Sequence, residues 1–146
     1  MNYSCLKILL VFGLILLNQS CSSDESKPSE ETQLFGKWKL IEQLSDPGDG
    51  SGTFRPISSE RVIEFLSDGT VEINGVLCYM SNDIGAKESG TYSFITDSDA
   101  QNDGEILPNT CNSRSAKVYF DLPVDGSLIL WYQCIEPCGQ KFEKMD

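Results

Sequence analysis

The chain has 146 residues, 22 of them acidic and 11 basic, for a formal net charge of −11, and it contains no histidine. A surface so acidic repels nucleic acid and anionic lipid heads, and no basic stripe with interleaved aromatics appears, so nucleic-acid binding is excluded. The missing histidine removes Ser-His-Asp and Cys-His catalysis, the usual zinc and copper ligands, and the simplest pH switch.

The N-terminus carries Lys7 followed by the apolar run "ILLVFGLILL" (Ile8–Leu17). A basic start, a short apolar run and small Ser20 before a cut describe a secretory signal peptide over residues 1–20. About ten helical residues span roughly 15 Å, half a bilayer core, too short for a permanent crossing. Cys21 follows the cut directly, an arrangement that resembles a bacterial lipobox, in which that cysteine carries the acyl chains. The other reading is an ordinary signal peptide with a chance thiol. Residues 21–33, "CSSDESKPSEETQ", are too polar to bury a core and read as a disordered acidic tether, roughly 20 Å in mean reach. The Ser-Asp-Glu after Cys21 resembles the acidic export tag of surface lipoproteins in some Gram-negative bacteria; a plain solvated linker is the alternative. Two or three acyl chains would hold the chain firmly to a membrane. The expected location is thus the bacterial outer membrane, lipid-anchored through Cys21, with the membrane as first partner.

Residues 34–146 form one domain, long enough for a single core. "LFGKWKLIEQL" (Leu34–Leu44) alternates, with Trp38, Leu40 and Leu44 on one face and Lys37, Lys39 and Gln43 on the other, as a strand does. Ser45–Pro56 is dense in Gly, Pro and Asp and reads as a long loop. "RVIEFLSDGTVEING" (Arg61–Gly75) reads as a hairpin turning at Asp68-Gly69, suited to a type I′ turn, with Ile63, Phe65, Val71 and Ile73 inward. Ser89–Thr96 is a further strand with Tyr92 and Phe94 on one face. Asp97–Glu105 is an acidic loop. Its Asp99-x-Gln101-x-Asp103-Gly104 mimics half a calcium loop, but Thr110 stands where a bidentate Glu is needed, so a solvated hairpin tip is the better reading. Ala116–Cys134 is a second hairpin, turning at Asp125-Gly126. Gly139–Met145 is a short closing strand.

The domain is therefore all-β, an antiparallel meander of about seven or eight strands, and closing it into a barrel would remove its edges. Four cysteines fall inside it: Cys78, Cys111, Cys134 and Cys138. An even number in an exported domain reads as disulfides. Zinc is disfavoured because only Cys134-x-x-x-Cys138 approaches a knuckle. Cys134 and Cys138 flank a three-residue loop, which brings such positions to about 5.5 Å, and Cys78 and Cys111 both look like strand ends. The expected pairs are Cys134–Cys138 and Cys78–Cys111; the rival layout ties Cys111 to the C-terminal hairpin.

"FGKWKL" holds the Gly-x-Trp that opens the first strand of lipocalins, as Gly36-Lys37-Trp38. With "IEFLSDGTVEING", "GTYSF", "LILWYQC" and "CGQKFEKM" in that order, residues 34–146 resemble the small lipocalin-like lipoproteins of Gram-negative bacteria. The resemblance implies a lipocalin-like β-barrel whose bottom is closed by Trp38. It also implies a small apolar ligand held inside. The domain is shorter than a standard lipocalin and shows no C-terminal helix, which puts the cavity in question.

The inward candidates, forming either an apolar pocket or a plain core, are Trp38, Leu40, Phe65, Ile73, Tyr92, Phe94, Val118, Phe120, Leu130 and Tyr132. An eight-stranded barrel is just wide enough to be filled by side chains or to hold one small ligand. The second reading is an envelope protein-interaction or inhibitor module with a filled core. Trp131 motivates it, because it alternates out of phase with Leu130 and Tyr132 and should point outward; packing against the Ser45–Pro56 loop is the competing use for it. No spacing forces two carboxylates together, and Lys and Tyr follow no motif. No catalytic residue, metal or cofactor is expected, and the chain does not read as an enzyme.

Overall fold

The structure is a computed structural model that describes residues 30–111 and 116–146. The signal peptide, Cys21 and most of the tether lie outside the described residues. The described chain starts with a one-turn helix, α1 (Glu30–Leu34). Nine strands follow: β1 (Gly36–Ser45), β2 (Arg55–Pro56), β3 (Val62–Phe65), β4 (Thr70–Ile73), β5 (Glu88–Phe94), β6 (Gly104–Pro108), β7 (Val118–Asp121), β8 (Leu128–Trp131) and β9 (Cys138–Lys144). Strands β3 to β9 pair antiparallel in chain order, and β1 pairs with both β3 and β9. The result is a closed eight-stranded antiparallel barrel, with β2 added outside the ring on the upper half of β1. Closure leaves no long edge unpaired.

The strand directions sort the connections to two ends. The helix end holds α1 and the connections 66–69, 95–103 and 122–127. The loop end holds 46–54, 57–61, 74–87, 109–111, 116–117 and 132–137.

Local sequence accounts for most of this. β3 and β4 alternate half-buried and buried, pairing Ile63 with Ile73 and Phe65 with Val71 across the hairpin. The turn differs from the expected type I′. Gly69 takes positive φ (84°), but Asp68 does not, and Gly69 N–H donates to Leu66 O at 3.2 Å. A type I′ turn needs two residues at positive φ; a three-residue loop needs one, and glycine takes it at least cost. The Asp125-Gly126 turn is built the same way, with Gly126 at φ 78° and its N–H on Pro123 O.

Other expectations also shift. Within the Ser45–Pro56 loop, Arg55 and Pro56 form β2, where proline sits harmlessly on an edge. β6 begins inside the segment read as an acidic loop. Residues 30–33, read as the end of the tether, belong to α1. A helix this short is unstable alone; it is held by Leu34, which is fully buried and accepts a hydrogen bond from the Trp38 indole. In β1, a bulge at Ile41 changes the phase: Leu40 faces Phe142, but Gln43 then faces Gln140 and Leu44 faces Gly139. An extra residue turns every later side chain to the other face. So Gln43, not Leu44, points inward at the loop end.

Candidate functional site

The barrel interior is the first place to look for a site. Trp38, Leu40, Phe65, Ile73, Val118, Phe120, Leu130 and Tyr132 are all buried, and Tyr92 and Phe94 are half-buried against them. Leu34, Ile63, Val71, Leu77, Ile106, Leu128 and Phe142 complete the core. Aromatic edges meet faces across it: Phe65–Tyr92 at 5.1 Å, Phe65–Phe120 at 5.8 Å and Phe94–Phe120 at 5.4 Å between centroids. Gly104 leaves the space that Phe120 occupies, since a Cβ there would stand 2.1 Å from the ring. A void wide enough for water would leave accessible area on its walls. The large core side chains, Phe65, Phe120 and Phe142 among them, retain less than 2 %. Eight of the ten inward candidates are thus packed in the barrel core, while Tyr92 and Phe94 lie half-buried at its edge; packing of the interior by side chains is one of the two outcomes open to a barrel of this size.

At the helix end, Trp38 closes the barrel. Its indole N–H donates to Leu34 O at 2.8 Å, and Lys144 Nζ lies 5.2 Å above the ring. The Lys144 ammonium also donates to Gln33 O, tying α1 to the last strand. A shallow cleft of about 230 Å³ borders this closure, lined by Gln33, Trp38, Leu122, Pro123, Gly126, Ser127 and Lys144.

Trp131 points outward as its phase requires, but it is covered. Its indole donates to Asp121 Oδ2 at 2.7 Å, and Phe54 meets its ring edge-on at 5.8 Å. Phe54 belongs to the 46–54 loop, whose fold is organised by Asp46. That carboxylate accepts from four backbone N–H groups. Those from Gly52 and Gly48, then Gly50 and Asp49, hold it below the usual carboxylate range. Trp131 thus packs, half-buried, against the 46–54 loop, the competing use that the sequence offered for it.

The loop end holds a feature that sequence reasoning missed. Arg61 is fully buried. Its guanidinium donates to Val76 O and, at 3.1 Å, to Asp83 O, while its Nε has no partner among the described residues. Beside it Tyr132 donates to Gln140 Oε1 at 2.9 Å, and Gln140 Nε2 donates to Ser81 O at 2.8 Å and to Asn82 Oδ1 at 3.1 Å. Ser59 Oγ donates to Asn82 O at 3.2 Å. A polar layer thus caps the apolar core, and its donors point up into the 74–87 connection. The signal was present: Arg61 shares the period-2 phase of Ile63 and Phe65, and Gln140 that of Phe142. Charge and polarity argue against an inward position and hid both.

Burial pushes the Tyr132 hydroxyl up to about 12, with the nearby Arg61 charge opposing that rise. The unfolded chain releases this proton near pH 10, while the folded chain keeps it. Folding therefore retains this contribution below pH 10 and loses it as pH rises towards 12. Denaturant titrations at pH 9 and pH 11 should show a fall in stability that is smaller in Tyr132→Phe. An equal fall in both proteins would remove Tyr132 as the cause.

Both disulfides form at the loop end. Cys78 pairs with Cys111, Cα atoms 5.6 Å apart, and Cys134 pairs with Cys138 at 6.1 Å. These are the pairs expected from the spacing. The first staples the start of the 74–87 connection to the end of the β5–β6 hairpin. The second closes a tip on which Ile135 is fully exposed. Tyr79 and Ile84, about 60 % exposed, stand on the neighbouring connection. Compared with known proteins, the chain matches no family model, no curated protein and no solved structure.

Proposed function

We propose that this protein is a lipid-anchored cell-envelope module of lipocalin-like build that acts by binding another protein through its loop end, and not by enclosing a small apolar ligand. The filled interior carries this reading: Phe65, Phe120 and Phe142 occupy the space a ligand would need. In this reading it is a binding protein, not an enzyme.

The anchor is Cys21, since it follows the apolar run and Ser20. The described chain enters the barrel at the helix end, so a tether over residues 21–29, roughly 17 Å in mean reach, would keep that end nearest the bilayer and leave the loop end facing away. Cys21→Ser should move the protein from the membrane fraction to the soluble fraction; a variant that stays membrane-bound and uncleaved contradicts the anchor. The interaction itself is tested by a photo-cross-linking residue placed at Ile84 or, at the opposite end, at Val124, in intact cells. Discrete adducts from position 84 and none from position 124 are expected. Adducts from neither position would contradict the reading.

A further inference from the structure

Around the helix end the rim runs, in order, through α1, the chain after β9, and the connections 122–127, 95–103 and 66–69. It divides into two unlike halves. The half beside α1 carries Val124, fully exposed, and Met145, 42 % exposed. The cleft of about 230 Å³ lies in this half. It reaches from Gln33 in α1 to Pro123 and Gly126 beside Val124, over Trp38 and Leu122, with Lys144 on its wall. Asp125, next to Val124, is engaged by Lys141 at 2.8 Å. The other half is acidic. Asp68, Asp97 and Asp99 are exposed there, and the connections 66–69 and 95–103 contain no lysine or arginine. Neither of them holds a large exposed apolar side chain.

α1 is the first described element, so a chain coming from Cys21 arrives on the Val124 half of the rim. Residues 21–29 give it a mean reach of roughly 17 Å. A tether this short keeps the bilayer surface at high local concentration. A contact too weak to recruit a free protein is then enough to orient an anchored one. Val124 and Met145 gain by leaving water for the acyl boundary. Lys144 beside them can lay its stem along that boundary and keep its ammonium among the lipid phosphates. Asp68, Asp97 and Asp99 would lose hydration in the same place with no cation to replace it. The two halves of the rim therefore favour a tilt, with the tether half down and the acidic half lifted.

We propose, resting on the Cys21 anchor above, that this half of the helix end is a docking surface for a zwitterionic lipid bilayer, with Val124 and Met145 as its apolar contacts and Lys144 at the phosphates. Docking fixes how the barrel stands on the membrane and holds the loop end outward.

The test takes the processed protein from its own membrane and reconstitutes it into phosphatidylcholine vesicles that carry a lipid spin-labelled near the headgroup. A fluorescent amino acid is placed at position 124, 145, 68 or 135, and only protein that floats with the vesicles is measured. All four positions are exposed, so the barrel should fold in each case. The spin label should quench most of the emission from 124 and 145 and leave 68 and 135 unquenched. Val124→Asp puts a carboxylate at the apolar contact. It should abolish quenching of the probe at 145 while flotation stays unchanged. Equal quenching at 124 and 135 in floating protein overturns this inference and leaves the anchor standing. Equal quenching at 124 and 68 overturns the one-sided docking, and a probe at 145 that stays quenched in Val124→Asp overturns the part given to Val124. Protein that does not float overturns the anchor, and this inference with it.

Discussion

Trp38→Ala is expected to cost about 3–5 kcal/mol, the range for truncating a large buried aromatic. Trp38 is 2 % exposed and sits between Ile63 on β3 and Lys144 on β9, where β1 closes the ring. Three losses coincide. The core loses the indole volume at its helix end. Leu34 O loses the hydrogen bond that holds α1 against the barrel, and Lys144 loses the ring beneath its ammonium. A domain of this size holds only about 5–15 kcal/mol in total, so the variant should unfold at much lower denaturant. Trp38→Phe should recover most of the packing but not the Leu34 contact. Equilibrium urea denaturation measures both. A loss below about 1 kcal/mol for Trp38→Ala would mean that the helix end is not closed by this side chain.

Removing the Cys78–Cys111 bridge ranks second. It joins residues 33 apart in sequence, against 4 for Cys134–Cys138. Loop closure makes the long bridge worth about 4 kcal/mol and the short one about 2 kcal/mol, because the long one removes more freedom from the unfolded chain. Replacing each pair by alanine and comparing thermal midpoints should show the larger drop for Cys78 and Cys111. Hydrogen exchange should also quicken across residues 76–87, which lose their covalent staple while keeping the Arg61 and Gln140 pins. Equal drops, or an unchanged loop, would contradict this. Proteolysis without reduction should yield peptides linked Cys78 to Cys111 and Cys134 to Cys138.

The parts of the fold that were legible in the sequence are those where one rule acts alone. Ile63, Phe65, Val71 and Ile73 alternate cleanly around a glycine turn, so their pairing could be read directly. Cys134 and Cys138 flank a three-residue loop that brings such positions within disulfide reach, so their pairing was the expected one beside the rival layout through Cys111. Where two rules compete, the sequence reads wrongly or not at all. β6 has one short alternation, Gly-Glu-Ile-Leu-Pro, bounded by residues that weaken strands; its pairing with β5 and β7 supplies what propensity does not. The bulge at Ile41 has no residue signature, yet it reverses Leu44 and Gln43. Arg61 and Gln140 lie in the inward phase but carry polar groups, and the carbonyls of the 74–87 connection, with the Tyr132 hydroxyl and the Asn82 amide oxygen, make their burial tolerable. The candidate site was hidden for that reason: it is assembled from contacts between the 57–61 connection, β8–β9 and the 74–87 connection, which are distant in sequence.

The central claim is that the barrel interior is closed to ligands and the protein works from its outside. Native mass spectrometry of the protein released gently from its own membrane tests this most directly. The expected mass is that of the processed chain with its acyl groups on Cys21, alone or with a protein partner, and with no further small molecule. A stoichiometric apolar compound that stays bound to the folded barrel and leaves on unfolding would contradict the claim.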